Sequence, residues 1–520
     1  MSPTSSSTEK TGLSKFVRCF NFRLAYCCSI IALSQVNFGL DQGVFSNTQA
    51  MNAFARKFGV YNLATEVYAL QSYYLSLLNS LTYIGFAFGL VTGNIISGKL
   101  GRRNCFLVMC GWALVGAVIL VTSHNRWQML AGRIIAYVYI GMELALVPVL
   151  QSELVPPSVR GFVVGTYQSS LLFGQLLGAV ICRGTSTVEG DNSWRIPLGL
   201  FFIIPSILLC GIWYVPESPR WLLAKGRDEE AIKSLRLLRE GRYTEEQIEE
   251  EFREFKSTLN KTVENGRFTE LFRGSNLKRT LIVIGVNVFL QGTGQNFISV
   301  YGTIFIKSIG VIDAFSMTSI NISVNIVSVL ITQLLTDCTG RVPLMFVGAI
   351  IQMGALFTMG GLGTPDKPSL PMRQGIVAMT TIFGFGFQLG WAPLSHVVAA
   401  EIPTQHLRDK TYALGSCFNI LLQFAVSFSI PYLINDDYAG LGSKVGFIFG
   451  VTAFFAVCFT WFCIPECSGK TLEEIDELFL EGVPIKKFGK TRTRSHVQMY
   501  EDEEEERMKG SVTKVERVAA

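Results

Sequence analysis

The chain has 520 residues, 49% of them hydrophobic and only 16% charged, with a mean hydropathy of +0.36 and a formal net charge of +5. A soluble domain carries about a quarter of its residues as charges, so soluble domains strung together are excluded and a polytopic membrane protein is expected. The modest net charge points to no nucleic-acid partner, and no nucleophile–base constellation, phosphate loop or metal-ligand spacing points to an enzyme, a metal site or a cofactor.

In chain order, residues 1–22 are polar and rich in Ser and Thr, with no apolar run before Leu24, so they read as a cytosolic tail without a cleavable signal peptide. Apolar runs predict spans near 24–45, 73–96, 104–122, 128–151, 161–182 and 196–215, with a loop over 47–72 between the first two. These six make a first half, residues 23–216. Residues 217–278 turn rich in Lys, Arg and Glu and predict a soluble linker with helices over 228–239 and 244–259. A second half, residues 279–466, follows with spans near 279–303, 315–336, 343–361, 375–399, 411–434 and 445–464. Residues 467–520 are charged again, and their acidic run 501–506 reads as a solvated tail. Cys27, Cys28, Cys105, Cys110, Cys182, Cys210, Cys417, Cys458 and Cys463 fall in or beside apolar runs and read as small apolar residues.

Basic residues set the orientation. Lys99, Arg102 and Arg103 follow span two, Arg160 follows span four, Arg341 follows span eight, and Arg408 and Lys410 follow span ten. The positive-inside rule then places the linker and both termini in the cytosol. The two halves also repeat. Gly98-Lys-Leu-Gly-Arg-Arg103 is echoed by Asp337-Cys-Thr-Gly-Arg341, Glu153 with Arg160 by Glu401 with Arg408, and Pro216-Glu-Ser-Pro-Arg220 by Pro465-Glu-Cys-Ser-Gly469. Two related halves about a central axis are the parallel-repeat plan of a transporter.

The most informative stretch is Leu290-Gln-Gly-Thr-Gly-Gln-Asn-Phe-Ile-Ser-Val-Tyr-Gly302, inside span seven. Polar groups in a span need internal partners, yet Gln291, Gln295 and Asn296 cluster here. Amides donate and accept together, which suits a ligand covered in hydroxyls. The glycines let the helix thin or break at mid-membrane, where transporters place their substrate. The stretch reads as one wall of a sugar-like site.

Taken together, Gly98–Arg103, Arg133, Glu153 with Arg160 and Gly161, Pro216–Arg220, Gln291–Tyr301, Asp337–Arg341 and Pro465–Gly469 resemble the sugar porter family of the major facilitator superfamily, over roughly residues 24–480. Glu401-Ile-Pro403 and Leu407–Thr411 are most similar to fungal members. The resemblance implies an all-α membrane protein of twelve transmembrane helices, two six-helix halves working by alternating access, at the plasma membrane and as a monomer. It implies sugar contacts at Phe38, Gln168, Gln175, Gln291, Asn296, Tyr301, Asn325 and Asn419. Two positions depart from the family pattern. Leu290 stands where a glutamine is usual, and His396 stands where hexose carriers have a tryptophan that stacks on the sugar. His396 reads either as a hydrogen-bonding or titrating contact or as a structural histidine.

Asp41 is an acid inside span one, where a charge costs about 2.5–3.5 kcal/mol on insertion scales. Proton-coupled members of the family share it. It reads either as a proton carrier paired with Arg133 or as half of a static ion pair. Glu143, ten residues after Arg133 and so about 80° round the same helix, reads as a structural acid or an extra proton site. Asn321, one turn before Asn325, reads as interhelical glue, and Gln423 as a cavity residue beside Asn419. The charged residues Arg102, Arg103, Glu153, Arg160, Glu217, Arg220, Arg341, Glu401, Arg408 and Glu466 are expected to form salt bridges that close an inner gate in the outward-facing state. The function expected is sugar transport, with a proton as coupling ion. The alternatives are a carrier of a polyol, disaccharide or glycosylated metabolite, and a sugar sensor that does not transport.

Overall fold

A computed structural model describes residues 20–62, 66–260, 266–365, 367–435, 437–470, 472–489 and 491. The chain forms twelve spans. In the first half these are α1 (Phe22–Thr48), α2 (Ser72–Leu100), α3 (Arg102–Val121), α4 (Arg126–Leu154), α5 (Pro157–Thr185) and α6 (Asn192–Tyr214). In the second half they are α7 (Gly274–Ser299), α8 (Ala314–Thr339), α9 (Arg341–Leu362), α10 (Leu370–Glu401), α11 (Arg408–Ile434) and α12 (Val445–Cys463). Among the described residues eleven of these helices are long and apolar enough to cross a membrane, and α5, at 29 residues, completes the set.

Each half has its own apolar core. One runs from Leu24 through Val215 and takes in Leu238 of the linker, and the other runs from Ile282 through Phe488 and takes in Leu75 from across the seam. Within the halves α1 packs on α5, α2 on α4, α7 on α11 and α9 on α12. The halves meet along α5 with α8 and along α2 with α11, two seams that correspond under the six-helix repeat.

Three features add detail to the sequence reading. The loop after α1 holds a short helix (Asn52–Phe58) and a two-stranded antiparallel hairpin, β1 (Val60–Asn62) and β2 (Val67–Ala69), in the register Val60↔Ala69. Its Tyr61 and Tyr68 rings meet at 5.1 Å, a cross-strand aromatic pair of the kind that holds short hairpins. Span seven breaks among the glycines that the sequence reading singled out: Gly294 adopts a left-handed φ of +89°, and a further helix, Gly302–Ile309, follows. After the last span, Leu472–Leu480 docks on the second half. There Arg279 pairs with Asp476, and Ile475 and Leu478 are buried. The acidic run 501–506 lies outside the described residues.

The linker forms helices Pro219–Ala224, Asp228–Arg239 and Glu245–Asn260 around their own small apolar cluster. Arg239, 1% exposed, clamps it to the first half. Its Nε and Nη2 donate to Glu251 at 3.0 and 2.8 Å, and its Nη1 donates to the carbonyl of Leu154 at the end of α4, at 3.0 Å. That carbonyl is one of the last four in its helix and has no intrahelical partner. The other end of the linker joins the second half, where Lys410 donates to the carbonyl of Gly266.

Candidate functional site

A cavity lies between the halves, walled by α1, α2, α4, α5, α7, α8, α10 and α11. The residues facing it include Phe38, Gln42, Gln168, Gln175, Leu290, Gln291, Gln295, Asn296, Asn321, Asn325, Gln388, His396, Asn419 and Gln423. Amides therefore enter from both halves. Several hold one another in place. Gln175 Nε2 donates to Gln42 Oε1 at 2.6 Å, and Gln168 Nε2 to Gln388 Oε1 at 3.4 Å across the seam. Gln291 Nε2 donates to Asn419 Oδ1 at 3.3 Å, and Asn419 Nδ2 to Asn287 Oδ1 at 3.2 Å. Gln291 Oε1 and Asn325 Oδ1 are buried acceptors with no protein partner. Buried acceptors are costly unless they are paired, and a hydroxylated ligand supplies donors.

Eight of the nine expected contacts face this cavity: Phe38, Gln168, Gln175, Gln291, Asn296, Asn325, His396 and Asn419. Tyr301 does not. Its ring is 2% exposed and its hydroxyl donates to the carbonyl of Ser427 at 2.7 Å. Four residues on from Ser427 is Pro431, which has no N–H to give that carbonyl. Tyr301 supplies the missing donor, as the bilayer requires of backbone freed inside a span. Asn321 bridges helices as read, donating to Thr380 Oγ1 at 3.3 Å and accepting from Thr381 at 2.5 Å, while also reaching the cavity. His396 faces the cavity with Nδ1 3.4 Å from the Tyr412 hydroxyl.

The sequence reading missed Gln42 and Gln388. Gln388 sits in a single π-helical turn, Phe387–Trp391, just before Pro393. Pro393 leaves the carbonyl of Leu389 without its helical donor, and Thr332 Oγ1 of α8 stands 2.8 Å from it. The wider turn changes which face Gln388 presents. The only sequence signal was an amide between Phe387 and Leu389, five residues before a proline in a span.

Asp41 and Arg133 form the expected pair. Both are 2% exposed, and Arg133 Nη1 donates to both carboxylate oxygens at 3.1 Å. The guanidinium carbon lies 3.5 Å from the centre of the Phe45 ring and 4.7 Å from that of Tyr137, cation–π contacts that stabilise the buried charge. Tyr137 faces the cavity, and so does Gln42, next to Asp41 in α1. The pair sits one side chain behind the wall.

The charged residues at the linker-side ends stay within their own halves and do not bridge the two. Arg102 makes a two-pronged contact to Glu153 at 3.0 and 2.9 Å, and Glu217 accepts from the backbone N–H of Arg102 at 2.8 Å and of Arg103 at 3.1 Å. The second half repeats this. Arg341 Nη2 donates to Glu401 at 2.9 Å, and Glu466 accepts from the N–H groups of Arg341 at 3.1 Å and Val342 at 2.8 Å. Each capping glutamate satisfies orphan N–H donors at a helix N-terminus and sits at the positive end of its dipole, which is why it stays local. Arg103 stacks over Trp213 and Arg220 over Phe255. Arg408 Nε and Nη2 are buried without partners, and the Arg160 side chain lies outside the described residues. Among the described residues no ion pair joins the halves at this end.

Contacts between the halves gather at the opposite end. Ser46 Oγ donates to Val300 O at 3.1 Å, Ser76 Oγ to Phe428 O at 2.8 Å, Asn435 Nδ2 to Ser72 Oγ at 2.6 Å, and Lys307 to Asn52 Oδ1 at 2.7 Å. Deeper in, Asn296 Nδ2 donates to Tyr83 OH at 3.1 Å and to Ser427 Oγ at 2.7 Å. The end away from the linker is sealed.

The sugar (and other) transporter family matches residues 27–479. The chain is 33% identical to the major facilitator-type transporter ecdD of Aspergillus rugulosus, over 87% of this chain and 86% of that one. It is 30% identical to the hexose transporter HXT13 of Saccharomyces cerevisiae, over 86% and 80%. Among solved structures it is similar to the inward open conformation of the xylose transporter XylE from E. coli, with a TM-score of 0.73 at 22% identity, covering 88% of this chain and 99% of that one. It is likewise similar to the proton:xylose symporter XylE bound to 6-bromo-6-deoxy-D-glucose, with a TM-score of 0.70 at 23% identity and the same coverage. These structural likenesses speak to the fold of two six-helix halves. On the family match, which runs from the first span to the helix docked after the last, the chain belongs to the sugar (and other) transporter family of the major facilitator superfamily.

Proposed function

We propose that this protein carries a small sugar across the plasma membrane by alternating access, in symport with a proton, as a monomer with its linker and both termini in the cytosol. The observation that carries the reading is the cavity itself. Amides from both halves converge on one space, and a buried Asp41–Arg133 pair lies directly behind its wall. A hydroxylated ligand that bonds to Gln168 and Gln175 on one side and to Gln291, Asn325 and Asn419 on the other draws the halves together. Phe38 offers an aromatic face to a sugar ring, and His396 a hydrogen bond. With the far end sealed, this is the inward-facing state of the cycle. Protonating Asp41 removes the counter-charge of Arg133, frees α1 from α4, and links proton entry to the rocking of the halves. Sugar transport by the hexose transporter and proton coupling in the xylose symporter support this reading.

Leu290 favours a second reading. It places an apolar side chain on the cavity wall beside Gln291, which suits a polyhydroxylated substrate with an apolar portion, such as a glycosylated metabolite.

The test is uptake of labelled glucose, xylose, mannitol and maltose in cells without their own carriers, with external pH recorded. Substrate-dependent alkalinisation that disappears in Asp41→Asn is the expected result. Uptake indifferent to pH and to that substitution would make the protein a facilitator. For the site, Gln291→Ala removes hydrogen bonds worth about 1–1.5 kcal/mol and is expected to raise the half-saturating sugar concentration about tenfold. An unchanged value would remove Gln291 from the site.

A further inference from the structure

The shortest amide–amide bond around the cavity belongs to Gln42. Gln175 Nε2 of α5 donates to its Oε1 at 2.6 Å, whereas the other three pairs stand at 3.2, 3.3 and 3.4 Å. The two helices beneath the pair are in backbone contact. A Cβ on Gly43, the next residue of α1, would stand 2.4 Å from the carbonyl oxygen of Gln175. One on Gly174, the residue before Gln175, would stand 2.1 Å from the carbonyl oxygen of Val36 in α1. Glycines let membrane helices approach this closely, and the approach fixes the separation of the two side-chain roots. Both side chains face the cavity, with Phe38 one turn before Gln42 on the same helix.

An unattached glutamine has several rotamers and can follow a hydroxyl to several places. The bond to Gln42 restricts Gln175 to one. One N–H of its amide is spent on Gln42, so it offers the cavity one further N–H and one carbonyl oxygen, both at set positions. Gln175 therefore meets a ligand without first losing side-chain freedom, and a hydroxyl displaced from those positions finds no partner. A site that binds a hydroxyl by a placed hydrogen bond rejects an analogue without it far more strongly than an apolar pocket does.

We infer that Gln42 is a positioning residue that sets the hydroxyl selectivity of the sugar site by holding the Gln175 amide. The inference rests on the reading of this cavity as a sugar site. Gln42 acts through Gln175 and not by its own contact with the sugar, and the selection it imposes is between sugars that differ at a single hydroxyl.

The test uses the full chain in liposomes at equal pH on both sides, which sets proton coupling aside. Exchange of labelled glucose, mannose and galactose is measured, since the last two each differ from glucose at one hydroxyl. Each sugar gives a half-saturating concentration and a maximal rate. Gln42→Met keeps the length of the side chain and removes the acceptor. It is expected to raise the half-saturating concentration of the best sugar about tenfold, the scale of one hydrogen bond, to leave the maximal rate unchanged, and to bring the three sugars closer together. Gln175→Met should do the same, and the double variant should be no worse than either, because the two residues act as one unit. Gln42→Leu carries the same expectation if the methionine variant does not fold. Effects that add in the double variant show that Gln42 binds the sugar on its own, and they overturn the positioning role. A lower maximal rate with half-saturation and selectivity unchanged makes the bond a tie between helices and overturns it as well, as do unchanged kinetics in Gln42→Met or a wild type that treats the three sugars alike. Those results leave the sugar reading standing. A wild type that exchanges none of the three removes that reading, and the inference with it.

Discussion

Arg133→Ala is expected to cost about 3–5 kcal/mol, the price of leaving one member of a fully buried ion pair alone. Asp41 is 2% exposed, and both its oxygens are held by one guanidinium nitrogen. Without Arg133 the carboxylate faces only aromatic rings and neighbouring helices. The protein should melt at a clearly lower temperature in detergent and elute poorly on size exclusion. Asp41→Asn should be milder, because its amide oxygen still accepts from Arg133, and Phe45 and Tyr137 still hold the guanidinium from either side. The double variant Asp41→Asn with Arg133→Gln should recover most of the loss, since two neutral amides carry no desolvated charge. An Arg133→Ala protein as stable as wild type would mean that the pair is hydrated.

A single methyl group is expected to do comparable harm at two positions. A Cβ built on Gly39 of α1 would stand 1.8 Å from the carbonyl oxygen of Leu171 in α5, and one on Gly141 of α4 would stand 2.0 Å from that of Phe86 in α2. The obstacle is backbone in both cases and cannot rotate away. Helices in a membrane associate through such close approaches. Overpacking costs about 1–3 kcal/mol and occasionally more, and the upper end applies where whole helices must part. Gly39→Ala and Gly141→Ala should therefore lower the melting temperature and slow sugar uptake. Gly111→Ala meets nothing within 4 Å and should behave as wild type. Equal behaviour of the three would show that the helix pairs are looser than this packing.

What the sequence disclosed, and what it withheld, divides along a physical line. Contrast was legible. An amide or an acid in an apolar run stands out, so the twelve spans, the amide wall from Gln291 to Asn296 and the Asp41–Arg133 pair could all be read. So could the doubled Gly-Arg and Glu-Arg motifs. Facing was not legible. Tyr301 stands near the amides in sequence, yet it serves a carbonyl orphaned by Pro431 on a different helix. Gln388 turns to the cavity through a π-helical turn that no 3.6-residue period anticipates. The charged clusters were visible as pairs, but pairing does not say which half supplies the partner. In this arrangement Glu217 and Glu466 cap helices of their own half.

The seal at the end away from the linker sets the tempo of such a carrier. It consists largely of neutral hydrogen bonds such as Ser46 to Val300, Ser76 to Phe428 and Asn435 to Ser72. The ion pair Arg183–Asp313, at 3.7 Å and more than half exposed on both sides, adds little. Each neutral bond contributes about 0.5–1.5 kcal/mol net, so the whole latch amounts to a few kcal/mol. Millimolar affinity for a ligand corresponds to about 4 kcal/mol, the same scale. A weakly held sugar is then enough to tip the balance between the two faces, and a tightly held one would arrest the cycle. The chemistry of this latch favours throughput over affinity, and it marks a high-affinity sugar analogue as an inhibitor rather than a better cargo.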